Sequence, residues 1–402
     1  MSSPQTDAPR VALVSYSTKP RGGVVHTLSL AEAMTGQGQP VRVVSLGDPD
    51  GGFFRPVRAP FSLVPAPPSG DTLEERVFAS IDALTTGLGE VAGEVDVFHT
   101  QDCISARAAM QVRRAGADVA VLRTVHHVDD FTTQALVNCQ RQAILEPDRV
   151  LVVSEHWRQL LHCEYGVDAT VVHNGVDPSH FGPISVSRRA KLRERAGAIG
   201  RFLFLGVGGI EPRKGSVYLL EALGRLKGRM DPSPVLAVVG GHSFQDYTAY
   251  RDAALARLPD WGLRLGVDVV MLGTVSDAEL AGWYRAADAL TFPSLKEGWG
   301  LVVLEAMSAD LPVVATDMPV FREYLTHGQD SLLVPVEDAV GLADAMEQLM
   351  LDADLRDRLR RRGRDVVDRF TWSQSARQHL AVYDEVAANP WPARRLVTPS
   401  AP

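Results

Sequence analysis

Residues 294–317, SLKEGWGLVVLEAMSADLPVVATD, decide how the rest of the chain is read. The run ALTFPS, residues 289–294, leads into them as a buried strand ending near Ser294. A glycine-bounded loop follows with Glu297, Gly298 and Gly300, then a helical pattern over 301–309, then the strand PVVATD at 312–317. Strand, tight loop, helix and strand make one repeat of a parallel sheet. The first-turn N–H groups around Leu301 and Val302, with the positive end of the helix dipole, suit a phosphate. Glu305 interrupts the apolar run LVVLEAM, where a carboxylate is costly to bury without partners. Ribose hydroxyls or an internal arginine would serve. Glu297, just before the helix, is placed either to accept bonds from hydroxyls or to stand exposed.

Working outward, the same alternation surrounds this repeat. Upstream lie FLFLGVG at 202–208, VLAVVGG at 235–241 and VVMLG at 269–273, with a helical pattern over 215–227. In GVGGIEPRKGSVYLLEAL a strand ends in glycines and Arg213 and Lys214 open the next helix. Cations there oppose the dipole, so the placement calls for an anion, with two solvated cations as the plainer reading. The first half alternates too: strands at 10–17, 41–46, near His99, up to Val125, up to Ser154 and up to Asn174. A loop with Arg21, Gly22 and Gly23 opens the first helical pattern, 24–35. Alternating strands and helices predict an α/β fold of two Rossmann-like domains facing each other across a cleft, ligands lying outside the carboxyl ends of the strands. The expected divisions are 1–184, an Arg-rich linker 185–200, a second domain 201–371, a helix 372–388 packing back on the first domain, and a Pro-rich disordered tail 389–402. Closure is expected about 174–200.

Composition narrows the function. The 402 residues are 45% apolar and 22% charged with a net charge of −8, which argues against a nucleic-acid partner. Three scattered cysteines suggest core residues in a reducing cytoplasm, and the N-terminus lacks the pattern of a signal peptide. Asp48–Pro49–Asp50 and Asp352–Ala353–Asp354 have the spacing of a metal site but read as solvated charges, so no metal and no cofactor are expected. The basic run 355–365 is weighed as a peripheral contact with anionic lipid against a solvated helix face, which is preferred. LGVGGIEPRKG also bears comparison with a dinucleotide fingerprint of an NAD-dependent oxidoreductase, but Glu211 stands where the third glycine belongs.

Together these motifs resemble the retaining GT-B glycosyltransferases of the family that includes sucrose and trehalose synthases and bacterial mannosyltransferases. Glu297 and Glu305 match its E-x7-E motif, and Arg213 and Lys214 its diphosphate-binding pair. Gly22 and Gly23 match its N-terminal glycine loop, and Asn174–Gly175–Val176–Asp177 its NGVD signature. The resemblance implies a nucleotide-diphospho-sugar donor, with Arg213 and Lys214 on the leaving diphosphate, Glu305 on the ribose and Glu297 on the sugar. Gly22, Gly23, Gly298, Gly300, Leu301 and Val302 would complete the donor site. His126 aligns with an active-site histidine, ahead of the adjacent His127. If the fold holds, His26, His99 and Asp102 face the cleft as candidate acceptor contacts. The resemblance also implies transfer of a hexosyl or N-acetylhexosaminyl group, with retention, to a small-molecule, glycan or lipid acceptor. A nucleotide-sugar epimerase of the same fold is the alternative. The donor base is expected to be read by the loops at 241–242 and 273–275.

Overall fold

The computed structural model describes residues 8–68, 70–240 and 246–388. The chain divides into two units, Met1–His173 with Trp372–Pro402, and Asn174–Thr371. In the first, the apolar runs become β1 (Val11–Ser15), β2 (Val41–Gly47), β3 (Phe61–Pro65), β4 (Val97–Thr100), β5 (Ala120–Val125), β6 (Arg149–Val152) and β7 (Thr170–Val171). Helices α1 (Gly22–Gly36), α2 (Leu73–Val91), α3 (Cys103–Arg114), α4 (Gln134–Leu145) and α5 (Glu155–Tyr165) lie between them. All strand pairs are parallel, in the order β3-β2-β1-β4-β5-β6-β7. The chain therefore reverses its direction of travel across the sheet between β1 and β4. Ligands of open α/β sheets bind outside the strand ends at such a switch point. The loops after β1, β4 and β5 carry Gly22, Asp102 and His126 to that edge.

The second unit repeats the plan. Its elements are α6 (Val186–Arg195), β8 (Leu203–Val207), α7 (Ser216–Lys227), β9 (Val235–Val239), α8 (Thr248–Ala256), β10 (Val269–Gly273), α9 (Asp277–Ala286) and β11 (Ala289–Phe292). They continue as α10 (Leu301–Ser308), β12 (Val313–Thr316), α11 (Pro319–Arg322), β13 (Leu332–Val334), α12 (Ala339–Leu351) and α13 (Ala353–Val367). The strand order β10-β9-β8-β11-β12-β13 puts the switch between β8 and β11. Arg213 and Lys214 follow β8 and Glu297 follows β11, so both sequence motifs flank the switch point. Leu219, Leu223, Leu236, Val269, Leu342 and Met346 fill the core on one face of this sheet. Each fully buried side chain of this size contributes about 1.5–3 kcal/mol. The last helix, α14 (Trp372–Ala388), belongs to the first unit and rests on α1.

Several boundaries differ from the sequence reading. Residues 185–200, expected as a linker, contain α6, which packs on α9 within the second unit. Its arginines are engaged rather than solvated: Arg188 donates to the Ala278 carbonyl at 2.8 Å, and Arg193 pairs with Asp288 at 2.9 Å. The unit boundary thus falls at Asn174, so the NGVD segment lies in the second unit, where Val176 bridges to Thr371. Strand β3, between prolines and half-exposed along its length, and the three-residue β13 were not anticipated. The run ending at Asn174 forms only the two residues of β7. The expected tail 389–402 and the base-reading loop 241–242 lie outside the described residues.

Candidate active site

In the second unit, β8 runs into Gly208 and Gly209, both at positive φ, and a 3-10 turn Pro212–Lys214 precedes α7. Gly215 closes that turn at φ 62°, and a Cβ there would stand 2.0 Å from the Pro293 carbonyl oxygen. Only glycine lets the turn press against the exit of β11, where the Leu295 N–H donates to the Arg213 carbonyl at 2.7 Å. This close approach brings the Lys214 Nζ to 2.5 Å from Glu297 Oε1, with Ser294 Oγ donating to the same oxygen at 3.0 Å. The ammonium also lies 4.5 Å from the Phe292 ring centroid. Arg213, 41% exposed at its side chain, reaches Glu297 at 3.7 Å and Glu211 at 3.3 Å.

Two cations and two carboxylates therefore neutralise one another. The helix-dipole argument for an external anion at Arg213 and Lys214 is corrected accordingly: both precede α7 in a separate turn, and Glu297 and Glu211 supply the anions. Burial pulls the Glu297 carboxyl upward, but the charges of Lys214 and Arg213 and the bonds from Lys214 and Ser294 hold it below the usual carboxylate range. Burial, reinforced by Arg213 and opposed by Glu297, draws the Lys214 ammonium down from its ordinary value.

Gly298 lies in the bend before Trp299, and Gly300, at φ 87°, is the N-cap of α10. A Cβ on Gly300 would come within 2.5 Å of the Phe321 ring. As a glycine, it offers no side-chain cap to the first-turn N–H groups of Leu301 and Val302. One turn on, Glu305 accepts a 2.6 Å bond from the Tyr284 hydroxyl. Its partner is thus a phenol, not an arginine. Burial raises the Glu305 carboxyl and the bond from Tyr284 opposes that rise. Tyr284, fully buried on α9, was not singled out in the sequence because its role depends on a contact 21 residues away.

In the first unit, Gly22 and Gly23 are the first residues of α1, and a Cβ on Gly23 would meet the His126 ring at an ordinary 3.7 Å. His126 lies 3.0 Å, through Nε2, from Gln101 Oε1, and its ring meets His26 edge-on at 4.7 Å. Burial, reinforced by neighbouring His26 and His127, holds it well below the usual histidine range, so it is neutral. His127 is exposed beside Asp129. Two of the three expected acceptor contacts are corrected. His99 is 0% exposed, with Nδ1 bonded to Tyr383 at 2.7 Å and Nε2 to Thr124 at 2.8 Å. His26, also 0% exposed, packs against Trp372 and His379. Both are core residues anchoring α14. Asp102 forms a capping box with Ser105 at the start of α3, and burial lifts its carboxyl to about 6.

Neither Asp-x-Asp stretch is set out as a cation site. Asp48 accepts from the Asp50 N–H at 3.1 Å, and Asp352 caps α13 through the Leu355 N–H at 2.8 Å. Among the described residues no group of three or more His, Cys, Asp or Glu side chains could hold a metal ion, and no helix is long and apolar enough to cross a membrane.

Comparison with known proteins bears on this geometry. Residues 189–366 match the family model for glycosyl transferases group 1, and residues 20–180 match that for glycosyltransferase family 4. A phosphatidyl-myo-inositol mannosyltransferase of Mycobacterium leprae is 31% identical over 381 residues, covering 93% of this chain and 96% of that protein. A D-inositol 3-phosphate glycosyltransferase of Stackebrandtia nassauensis is 29% identical over 432 residues, covering 97% and 93%. Among solved structures, sucrose-phosphate synthase from Thermosynechococcus elongatus superposes with a TM-score of 0.79 at 23% identity, over 94% of this chain and 99% of that one. The Anabaena protein HepE in complex with UDP and glucose gives 0.79 at 19% identity, over 94% and 100%. The structural likenesses establish the GT-B fold. The relatives do not favour the epimerase or the oxidoreductase reading.

Proposed function

The chain belongs to glycosyltransferase family 4, and on that premise we propose that it moves a hexosyl group from a nucleotide-diphospho-sugar to a hydroxyl of a phosphorylated or lipid-linked polyol, in the cytoplasm and without a metal ion. The observation that carries the donor assignment is the convergence of Lys214, Arg213, Glu297 and the uncapped start of α10 at the β8/β11 switch point. In this reading the diphosphate takes the Lys214 and Arg213 charges and the Leu301 and Val302 N–H groups, which stabilise the negative charge that builds as the anomeric C–O bond breaks. Glu305, with Tyr284 already on one oxygen, accepts the ribose hydroxyls. Glu297, released from Lys214, accepts from the sugar. The acceptor oxygen bonds to the anomeric carbon on the face the diphosphate leaves, and its proton passes to the departing phosphate oxygen. Configuration is thereby retained. The acceptor class follows from the relatives, whose names specify phosphatidyl-myo-inositol and inositol 3-phosphate. Peripheral contact with an anionic membrane through residues 355–365 belongs to the lipid arm of this proposal.

The test is a panel of nucleotide sugars and diphosphates followed by turnover with inositol phosphates and phosphatidylinositol, with and without a chelator. Glu305→Gln keeps an acceptor for Tyr284 and should melt within a few degrees of the parent while losing donor affinity and turnover by about 100-fold or more, as expected for loss of charge-assisted bonds to two hydroxyls. Normal turnover in Glu305→Gln would remove the donor assignment, and loss of activity on chelation would remove the metal-free mechanism.

A further inference from the structure

Arg123 is a core residue of the first unit whose placement the fold alone does not explain. It lies on β5, three residues before His126, and is 4% exposed. Its Nε and Nη1 are buried with no hydrogen-bond partner, and among the described residues no carboxylate forms an ion pair with it. Other largely covered arginines are engaged: Arg55 with Glu32 at 3.0 Å, and Arg285 with Asp310 at 2.8 Å. Arginine stays charged at any working pH. Its charge acts on the Asp102 carboxyl, yet a buried charge without a hydrogen-bonded counter-ion costs stability that a neutral side chain would not, so a folding role does not account for it.

Two neighbours share its condition. The register sets Thr100 opposite Arg123, so Gln101 and Asp102 leave β4 beside the exit of β5. Gln101 is 4% exposed, and its Nε2 has no partner; Asp102 Oδ2 has none either. A guanidinium fork, an amide N–H and a carboxylate oxygen are thus left unsatisfied together at the switch-point edge of the sheet. The Gln101 side chain is held through Oε1 by His126 alone among the described residues.

We propose that Arg123, with Gln101, reads an oxyanion on the acceptor, a phosphate ester or a carboxylate, while Asp102 accepts a neighbouring hydroxyl. Planar guanidinium suits such a group because two parallel N–H bonds match two of its oxygens. The proposal rests on the transferase reading and deepens it.

The experiment measures binding to the full chain by calorimetry and melting by fluorimetry. The probes are inorganic phosphate, inositol 1-phosphate, glucuronate, uncharged myo-inositol, and phosphatidylcholine vesicles with and without phosphatidylinositol. Wild-type protein should bind an oxyanion-bearing probe and ignore myo-inositol. The soluble and vesicle arms separate a free phosphorylated polyol from a lipid headgroup. Arg123→Gln should weaken that probe by about 30-fold, the loss of one charge-assisted pair, with Arg123→Lys between the two. Free Arg123→Gln should melt at or above the wild-type temperature, because it sheds a buried charge whose Nε and Nη1 no hydrogen bond satisfies. A free variant that melts well below wild type yet keeps its oxyanion affinity would make Arg123 structural and overturn the proposal. So would equal binding of myo-inositol and its phosphate. If no nucleotide sugar binds to wild type, the transferase reading fails first; if donors bind and no oxyanion probe does, only the role of Arg123 fails.

Discussion

The Lys214–Glu297 pair can be tested apart from catalysis, through its effect on the second unit. Both side chains are about nine-tenths covered, at 11% and 10% exposure, and 2.5 Å separates their charged atoms. Removing one member of such a pair leaves a buried charge uncompensated, which costs about 3 kcal/mol. Glu297→Gln strands the Lys214 ammonium against the Phe292 ring and should lose about that much, equivalent to a fall in Tm of roughly 6–12 °C for a unit of this size. Lys214→Met should cost less, about 2 kcal/mol, because Ser294 at 3.0 Å and Arg213 at 3.7 Å still face Glu297. The double variant Lys214→Met/Glu297→Leu should lose no more than the worse single variant, a coupling of about 2 kcal/mol. Urea unfolding followed by tryptophan fluorescence is the assay, since Trp299, 2% exposed, lies two residues beyond Glu297. Additive losses, within about 0.5 kcal/mol, would refute the claim that these two groups neutralise each other in the free protein.

Acid should loosen the first unit by a route the sequence also supplies. Burial, with smaller contributions from neighbouring histidines at His99 and His126, lowers both of them well below 6.5, and burial brings His379 to about 4. Their folded-state values lie below the unfolded one, so the stability they permit is present above pH 6.5. It is lost as pH falls toward 4, because the unfolded chain binds the protons first. The unfolding free energy from urea titrations should fall across that window with a slope of about 1.4 kcal/mol per pH unit for each histidine involved, and His379→Leu should flatten it; a free energy level from pH 7 to 5 would contradict the burial. Gly215→Ala should separate the two loops of the donor site, given the 2.0 Å approach of its Cβ to the Pro293 oxygen. Calorimetry with the preferred nucleoside diphosphate should show at least a tenfold loss, and unchanged affinity would mean the loops do not need that contact.

Most of the architecture was legible because parallel strands buried on both faces leave apolar runs that no other element leaves. VALVS at β1, VLAVV at β9 and ALTF at β11 are unambiguous on that ground. The exceptions have physical causes. Strand β3 stands at the sheet edge, half-exposed and bounded by Pro60 and Pro65, so it lacks the apolar signal. Helix α6 has a single buried residue, Leu192, and is held by arginine bonds to α9, its C-terminal end and Asp288 beyond it, so its composition reads as linker. The histidines went wrong for a related reason. His26 and His99 sit on elements that reach the ligand edge, but α14, from the far end of the chain, covers them, with Tyr383, 284 residues after His99, taking its ring.

Glu305 and Arg123 show where reading polar residues against an apolar background reaches its end. Both interrupt runs that should be buried, LVVLEAM and AVLRTV, and both raise the question of what neutralises a group that water cannot reach. For Glu305 the answer is internal: the Tyr284 hydroxyl from α9 takes one oxygen. For Arg123 no hydrogen bond among the described residues reaches Nε or Nη1, and Gln101 Nε2 and Asp102 Oδ2, at the exit of the neighbouring strand, have none either. Nothing within either run distinguishes the two cases, since the deciding partner comes from another element. Spacing locates a buried charge, and only the packing around it shows whether the fold has answered it. An unanswered one at a switch point is then better explained by a ligand than by stability, because stability alone would favour its replacement.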